Sequence, residues 1–296
     1  MQIVGDTAAD IFPEQMAGLN ITLVPLTFKL DGKVYRGGVD VDSEGFYHLL
    51  EHSTDYPTTS QPSVGDFVEA YRKVAASDPD ILSVHIASAL SGTYNSAVAA
   101  VDLVPEAQIQ VWDSRLVSGP LGWVLEAAAR CAKAGWTKEQ TIALLEELQR
   151  ETHIVFTVPS LKYLIHGGRI SHLKGLFATA LGIKPLIGLD NALGSLTQEG
   201  QARTMKRAIP ALVEHISKTY APGTGMRMQV LHGDNPEAAE TLHELLDRQF
   251  ACSWLPTGSI APVLGAHTGP GVVGAFYAPV ALYARMPGPS SSDAMV

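Results

Sequence analysis

Short apolar runs alternate with longer amphipathic stretches along the first half of the chain. The runs predict strands at residues 2–4, 21–26, 81–86 and 108–112, and the stretches between them predict helices at 67–75, at 120–134 and up to about residue 150. Alternating strands and helices are typical of a parallel sheet covered by helices on both faces. Residues 1–151 are therefore predicted to form a three-layer α/β domain.

The second half of the chain has a different pattern and predicts a second domain. Strands are predicted at 153–158, 195–197, 226–232, 253–259 and 272–277, and helices at 202–220, kinked or split at Pro210, and at 236–250. Neighbouring strands joined by short turns indicate a mixed or antiparallel sheet, so residues 152–280 are predicted to form a C-terminal α/β domain. The Asp31-Gly32 pair predicts a small hairpin insertion near residues 26–42, and the tail 281–296 is predicted to be disordered.

Composition narrows the functional classes. The 296 residues are 46% hydrophobic and 17% charged, an ordinary mixture for a globular protein with a large core. The formal net charge of −9 argues against general binding to nucleic acid or to anionic membrane surfaces, because both need clusters of basic residues. Apolar runs stay well short of the ~18 residues of a membrane span, so no integral membrane association is expected.

The cysteines and the N-terminal residues indicate where the protein is located in the cell, and they do not indicate a metal site. Cys131 and Cys252 lie far apart, outside any Cys-x-x-Cys or Cys/His cluster, which argues against a structural zinc site and favours two reduced thiols. The first residues lack the basic and apolar regions of a signal peptide, so the protein is expected to be cytoplasmic. Since the phosphate-binding glycine motifs are missing as well, neither a metal nor a cofactor is expected.

Hydroxyl-bearing residues beside predicted helix starts are the first candidates for a binding site. Ser91-Gly92-Thr93 comes where a buried strand ends and a helix begins, and Thr59 and Ser60 precede another helix. Backbone N–H groups at a helix N-terminus attract anions, and hydroxyls add hydrogen-bond donors. Simple helix caps explain the same residues somewhat better, so the residues alone do not establish a binding site.

Four basic residues complete the candidate set. Arg169 follows the turn at Gly167-Gly168, and His267 is predicted in a glycine-rich loop after a strand. Loops held by a sheet often contact ligands. Arg203, near the predicted start of a helix, and Lys184 are weaker candidates, since a solvated surface charge explains both.

An enzyme remains an alternative. Ser91 and His267 suggest a nucleophile and base of a hydrolase, but Ala89-Leu90-Ser91-Gly92-Thr93 lacks the first glycine of the G-x-S-x-G elbow. No acidic third member is identifiable by spacing. A phosphotransfer component that binds a small anion is the other alternative.

The order of these motifs resembles the DegV family, the fatty-acid-binding proteins of bacteria, along almost the whole chain to about residue 279. His166 departs from the family, since a lysine is common at its position. The matching motifs are Asp6-Thr7-Ala8-Ala9-Asp10, Val24-Pro25-Leu26, Thr59-Ser60-Gln61-Pro62-Ser63, Leu90-Ser91-Gly92-Thr93-Tyr94-Asn95-Ser96-Ala97, Asp113-Ser114, Gly167-Gly168-Arg169-Ile170-Ser171, Lys184-Pro185 and His267-Thr268-Gly269-Pro270-Gly271.

This resemblance implies a lipid carrier rather than an enzyme. Family members have two α/β domains with one long-chain fatty acid, such as palmitate or a C18 acid, buried between them. In some members the protein presents this acid to a fatty acid kinase that makes an acyl phosphate. The resemblance assigns the carboxylate to Thr59 or Ser60 together with Ser91, Gly92, Thr93 and His267, and the kinase or phosphoryl contact to Arg169 and Arg203.

Apolar residues of the second half are candidates for the wall of a tunnel. Burial of a hydrocarbon tail contributes ~0.8 kcal/mol per CH₂ to affinity, so such a wall would supply most of the binding energy. Ordinary core packing explains the same residues nearly as well. The candidates are Leu176, Phe177, Leu181, Ile183 and Ile187.

Overall fold

The structure, a computed structural model, describes residues 1–172 and 182–288. The strands in chain order are β1 (Gln2–Asp6), β2 (Ile21–Val24), β3 (Thr27–Leu30), β4 (Lys33–Arg36), β5 (Thr58–Ser60), β6 (Asp80–His85), β7 (Gln108–Asp113), β8 (His153–Thr157), β9 (Lys184–Asp190), β10 (Ser195–Ala202), β11 (Gly225–His232), β12 (Ala251–Trp254), β13 (Gly258–Ser259) and β14 (Val273–Pro279). The α-helices are α1 (Pro13–Met16), α2 (Ser43–Glu51), α3 (Val64–Ala75), α4 (Thr93–Val101), α5 (Ser118–Lys133), α6 (Lys138–Glu151), α7 (Lys162–His166), α8 (Met205–Ser217), α9 (Pro236–Gln249), α10 (Pro262–Thr268) and α11 (Val280–Tyr283).

The first sheet is parallel and has the strand order β2-β1-β6-β7. Successive residues of its central strands are buried on opposite faces. Ile3 and Leu82 pack in the core that includes α5 and α6, whereas Val4 and Ile81 pack in the core that includes α3 and α4. Helices therefore cover both faces, and the predicted three-layer arrangement is confirmed.

The chain order places a crevice at one end of this sheet. From β1 the chain goes to β2 on one side, and β6 lies on the other side of β1. Loops that leave two neighbouring parallel strands in opposite directions open a crevice at the carboxyl ends of those strands, where ligands of α/β proteins commonly bind. The loop after β1 contains residues 7–10 and the loop after β6 contains residues 88–91, which include parts of several candidate motifs.

The predicted hairpin forms part of a small antiparallel sheet with the order β4-β3-β5. Its turn places Asp31 at φ 50° and Gly32 at φ 77°. Two consecutive residues with positive φ match the twist of the flanking strands, which explains the Asp-Gly pair. Strand β5 contains Thr59 and Ser60 and pairs with β3, so this insertion holds the first hydroxyl cluster.

The second sheet is mixed, as predicted. Its order is β10-β9-β8-β14-β11-β12, with β13 also paired to β11; β12 and β13 run parallel to β11 and the other pairs are antiparallel. Its outer face packs under α8 and α9 through residues such as Val155, Met228 and Ala275. Its inner face joins the core of the first sheet and α5.

Three local predictions are corrected. The segment 253–259 forms two short strands, β12 and β13, rather than one. Pro210 lies inside α8, which continues from Met205 to Ser217, so the helix is not split at the proline. The predicted tail begins with α11, where Tyr283 is buried and lies 2.8 Å from the Thr152 hydroxyl. Residues 289–296 lie outside the described part of the chain.

Polar contacts tie the two sheets together across α5. Arg227 on β11 donates to the buried carboxylate of Glu126 at 2.7 Å, and its guanidinium lies over the rings of Trp123 and Tyr283. The division near residue 151 stays a prediction, since the core is continuous across it. Across the described ranges, no helix combines the length and the apolar character that a bilayer crossing demands.

Candidate functional site

A cavity of about 460 Å³ lies between the inner face of the second sheet and the crevice of the first. Its walls are mostly apolar, and polar side chains gather at one end. The described residues that line it are Ala8, Leu26, Thr59, Ser60, Gln61, Ile86, Leu90, Ser91, Val117, Ser118, Ile154, Phe156, Leu164, Arg169, Leu196, Leu231, Ile260, Val263, Leu264, His267, Thr268, Val272, Gly274 and Phe276.

The alternation of side chains along β8 and β14 produces the apolar wall. Ile154 and Phe156 point into the cavity, while Val155 between them packs in the outer core under α8. Gly274 pairs with Phe156 and Phe276 pairs with Ile154, so both strands present the same row to the cavity. A sheet whose two faces are both buried thus forms a rigid wall on one side and a packed core on the other.

The polar end of the cavity is built by segments from distant parts of the sequence. The hydroxyl oxygen of Thr59 on β5 lies 2.8 Å from Nε2 of His267 on α10. Ser60, Ser91 and Arg169 line the same end. Four of the predicted binding residues, together with Arg169, are therefore neighbours in the fold.

His267 lies in the last turn of a helix, and its predicted position in a glycine-rich loop is wrong. Pro262 begins α10 and Gly269, at φ 73°, ends it. Gly265 is inside the helix for a packing reason, because a Cβ there would come within 2.7 Å of Phe46 and Tyr47 on α2. Gly265 therefore allows α10 to pack closely on α2, and it does not mark a loop.

The surroundings of His267 keep its ring neutral. Burial and the neighbouring Arg169 lower the pKa of His267 from the usual 6.5 to about 4. Its Nδ1 is buried without a hydrogen-bond partner among the described residues and packs against Gly167, where a Cβ would overlap it. At neutral pH the ring is thus an uncharged group that contacts Thr59 through Nε2.

Arg169 adds positive charge at the same end. It lies in the 3₁₀ helix Arg169–His172 and donates to the carbonyl oxygens of Gly167 at 2.7 Å and Leu90 at 3.2 Å. Partial burial lowers the pKa of Arg169. Among the described residues no carboxylate pairs with it, so its charge is balanced by backbone dipoles alone, and an anion in the cavity would find it available.

The three residues at the start of α4 do not contribute equally. Ser91 lines the cavity, and its oxygen lies 2.8 Å from the hydroxyl of Thr93. Thr93 itself is fully buried behind Ser91 and is not among the lining residues. Gly92 lines a smaller adjoining pocket of about 250 Å³, which shares Leu90, Ser91 and Arg169 with the main cavity.

Gln61 is a lining residue that the sequence analysis did not select. Its amide donates to Ser96 on α4 at 3.0 Å and lies over Gly92, where a Cβ would overlap it. The absence of a side chain at Gly92 therefore makes room for Gln61, and it does not leave the backbone of Gly92 open to a ligand. The adjacent Thr59 and Ser60 were a usable signal, since Gln61 directly follows them at the end of β5.

Other predicted residues are placed away from the cavity. Arg203 is exposed in the bend before α8, and Lys184 donates to the carbonyl of Pro159 at 2.5 Å. Ile187 pairs with Phe156 on the inner face but is fully packed in the core, and Ile183 is half-buried; neither is among the lining residues. Leu176, Phe177 and Leu181 lie outside the described residues.

The arrangement that a Ser/His hydrolase needs is not formed at Ser91. The hydroxyl of Ser91 contacts Thr93, and His267 contacts Thr59. A chain of Ser, His and Asp does occur elsewhere: Ser83 Oγ lies 2.6 Å from His85 Nε2, and His85 Nδ1 lies 3.0 Å from Asp6 Oδ2. All three side chains are fully buried and none lines the cavity, so this chain supports the fold between β1 and β6.

Fold and cavity together define a two-sheet α/β protein with a mostly apolar cavity that has polar side chains at one end. The chain belongs to the DegV family, since the family described as "Uncharacterised protein, DegV family" matches residues 1–280.

Relatives match over most of their length. A DegV domain-containing protein of Staphylococcus aureus is 32% identical over 272 residues, which is 92% of this chain and 96% of that protein. The structure of DegV, a fatty acid binding protein from Bacillus subtilis, is similar with a TM-score of 0.84 and 29% identity, covering 94% of this chain and 98% of that one. A stearic acid-binding protein from Eubacterium ventriosum has a TM-score of 0.77 and 28% identity over 94% and 98% of the two chains.

Proposed function

We propose that this protein binds one long-chain fatty acid in the cavity, with the carboxylate at the end formed by Thr59, Ser60, Ser91, Arg169 and His267. The observation that supports this most directly is a cavity of about 460 Å³ with mostly apolar walls and a group of polar side chains at one end. Its volume lies within the roughly 300–1,000 Å³ range of small-molecule sites. Similar proteins described as binding fatty acids and stearic acid favour a single chain of about C16 to C18 as the ligand.

The hydrocarbon tail would supply affinity, and the carboxylate head group would fix the orientation of the bound acid. At ~0.8 kcal/mol per CH₂, transfer of a long tail from water to this wall provides a large gross gain, part of which offsets the entropy lost on binding. The wall formed by Ile154, Phe156 and Phe276 is rigid, since these residues stand on paired strands. A preformed wall reduces the ordering cost of binding.

The contact between Thr59 and His267 suggests how the carboxylate is held. With the ring neutral and protonated on Nε2, His267 donates to the hydroxyl oxygen of Thr59, and the hydroxyl proton of Thr59 is then free to point at the carboxylate. His267 thus acts on the head group through Thr59. Arg169 provides the compensating charge, and Ser91 adds a second hydroxyl.

The proposed biological role is that of a non-catalytic cytoplasmic carrier that presents the acid to a fatty acid kinase. Family resemblance is the main support. The adjoining pocket of 250 Å³ also supports this role, because Ser91 and Arg169 line both that pocket and the cavity. A phosphoryl group in the adjoining pocket would therefore have a polar path to the carboxylate. Arg203 is exposed and separate from the cavity, as a partner contact would require.

Extraction of lipid from the purified protein tests the ligand class. Native mass spectrometry followed by lipid analysis should detect one fatty acid per chain. The variant Leu196→Trp, which fills the cavity, should lower this occupancy, whereas Leu193→Trp, at a residue 67% exposed on the same hairpin, should not. A protein without co-purified lipid that also fails to take up added palmitate would contradict the proposal.

The kinase role needs a separate assay. With a purified bacterial fatty acid kinase and ATP, acyl phosphate should form on the bound acid, and Arg203→Ala should slow this step without changing fatty acid affinity. Arg248→Ala, an exposed arginine on α9, is the matched control. Equal rates for the two variants would remove Arg203 from the proposed kinase contact.

A further inference from the structure

A buried carboxylate links the start of α5 to the segment before α10, beside the cavity. Asp10, in the loop after β1, is only 6% exposed. Its Oδ2 accepts a hydrogen bond from the Ser118 hydroxyl at 2.5 Å, and its Oδ1 accepts one from the backbone N–H of Ala261 at 2.6 Å. Ser118 begins α5, whereas Ala261, far along the chain, immediately precedes α10.

The partners of Asp10 are parts of the cavity wall. Ser118 lines the cavity, and so do Ile260 and Val263 on either side of the Ala261 contact. Ser118 has φ 63°, an unfavourable value for a residue with a side chain, and backbone hydrogen bonds with Ala8 and Asp10 hold it there. The same α10 ends with His267 at the polar end of the cavity. Movement of α10 away from the first domain would break the contact with Asp10.

We infer that Asp10 is a positioning residue that fastens α10 over the cavity, and that the charge on its carboxylate sets how readily the cavity opens for the ligand to exchange. The exchange part of this inference rests on the proposed function, because it needs a fatty acid in the cavity. The fastening part concerns the protein alone.

The surroundings of Asp10 offer it no compensating cation among the described residues. Burial raises the pKa of Asp10 to about 7, while the bonds from Ser118 and Ala261 oppose this rise. The neighbouring titratable group on α2 is Tyr47, whose buried hydroxyl has no partner within the described ranges. Burial raises the pKa of Tyr47, and the nearby Asp10 and Asp234 raise it further. Further along α5, Glu126 is paired with Arg130 and Arg227. At the end of β11, the backbone carbonyl of His232 accepts a hydrogen bond from the N–H of Ile260.

The direction of the pH effect follows from these surroundings. In the closed state, α10 is fastened to Asp10 over the cavity. Below about pH 7 the carboxyl of Asp10 is protonated, so its burial in this state costs little. Above that value the closed state contains a buried negative charge, which opening exposes to water. If water restores the ordinary pKa of 3.8, opening becomes more favourable by about tenfold per pH unit up to about 7 and levels off above it.

Release of a fluorescent C18 polyene fatty acid, measured by stopped flow between pH 5.5 and 8, tests the exchange part. The wild-type release rate should rise by up to about 30-fold over this range. Asp10→Asn mimics the protonated carboxyl, since its oxygen can accept from Ala261 and its amide can donate to Ser118. Its release should be slow and nearly independent of pH. Asp10→Ala should release rapidly at every pH.

One control variant and a second readout keep the outcomes distinct. Asp40→Asn, at an exposed carboxylate paired with Arg36, should keep the wild-type pH profile. Hydrogen exchange of the amides of α10, measured without lipid and corrected for intrinsic rates, should accelerate with pH in the wild type but not in Asp10→Asn. A pH profile of Asp10→Asn that equals the wild type in both readouts overturns the inference. Failure of the wild type to bind the probe, with the exchange result intact, would instead overturn the proposed function.

Discussion

The contact between Thr59 and His267 makes Thr59→Val an informative change. Valine has the shape of threonine and favours a strand, so β5 and its pairing with β3 should persist. The variant removes the hydroxyl that lies 2.8 Å from His267 Nε2 and that faces the proposed carboxylate. The ring of His267 would then lack a partner at Nε2 as well as at Nδ1, whose partner is already missing among the described residues.

The magnitude follows from the type of bond that is lost. A hydrogen bond to a charged group contributes about 1.5–3 kcal/mol, and 1.36 kcal/mol corresponds to a factor of ten in affinity. Thr59→Val should therefore weaken the binding of a long-chain acid by about 10- to 150-fold. Thr59→Ser keeps the hydroxyl and should stay within about threefold of the wild type.

Calorimetry on lipid-free protein at pH 7.5 can separate this effect from general damage. The ligands are a C16 acid and the corresponding alcohol, which has the same tail without the carboxylate. Thr59→Val should weaken the acid much more than the alcohol. Equal affinity of wild type and Thr59→Val for the acid would refute the assigned head-group position, and an equal loss for both ligands would show that the variant perturbs the cavity instead.

Three other predictions concern the charge, the wall and the stability of the fold. By ¹⁵N NMR, His267 of the lipid-free protein should titrate near pH 4, and bound fatty acid should raise its pKa because an anion favours the protonated ring; an unchanged value on binding would contradict the head-group assignment. Leu196→Trp should shift preference toward shorter acids, by about fourfold per CH₂ displaced, in a competition series from C12 to C18, and Leu193→Trp should leave the series unchanged. Arg227→Ala should lower the free energy of unfolding by about 3 kcal/mol in urea titrations, since Glu126 loses a buried partner but keeps Arg130, whereas Arg248→Ala should cost under about 0.5 kcal/mol.

The sequence predicted those features that depend on short-range pattern. Alternating runs indicated the parallel sheet, and Asp31-Gly32 located the hairpin, because two-residue turns restrict φ locally. The helical position of His267 was missed since Gly265 and Gly269 resemble a loop, while the reason for Gly265 is a contact with Phe46 and Tyr47 from a distant helix.

Some parts of the candidate site could not be predicted because they depend on contacts between residues that are far apart in the sequence. Ser91 and Thr93 are two residues apart and chemically alike, yet one lines the cavity and the other is buried behind it. Pattern showed that β8 and β14 are buried strands, but two-sided burial conceals which face borders a cavity. The row formed by Ile154, Phe156 and Phe276 became identifiable only from the strand register.

The assembly of the polar end links binding to the arrangement of the sheets. Thr59 comes from the small sheet and Ser91 follows β6 of the first sheet, whereas Arg169 and His267 come from segments that follow β8 and β13 of the second sheet. A carboxylate that bonds to all three parts at once would stabilise the closed arrangement, because each bond is lost when the parts separate. Asp10 contributes the same kind of link from the protein side, between the loop after β1 and α10. If the fatty acid binds as proposed, its head group and Asp10 act on the same equilibrium between the open and the closed cavity. A change at either should then alter the lifetime of the bound acid even where the apolar wall stays intact.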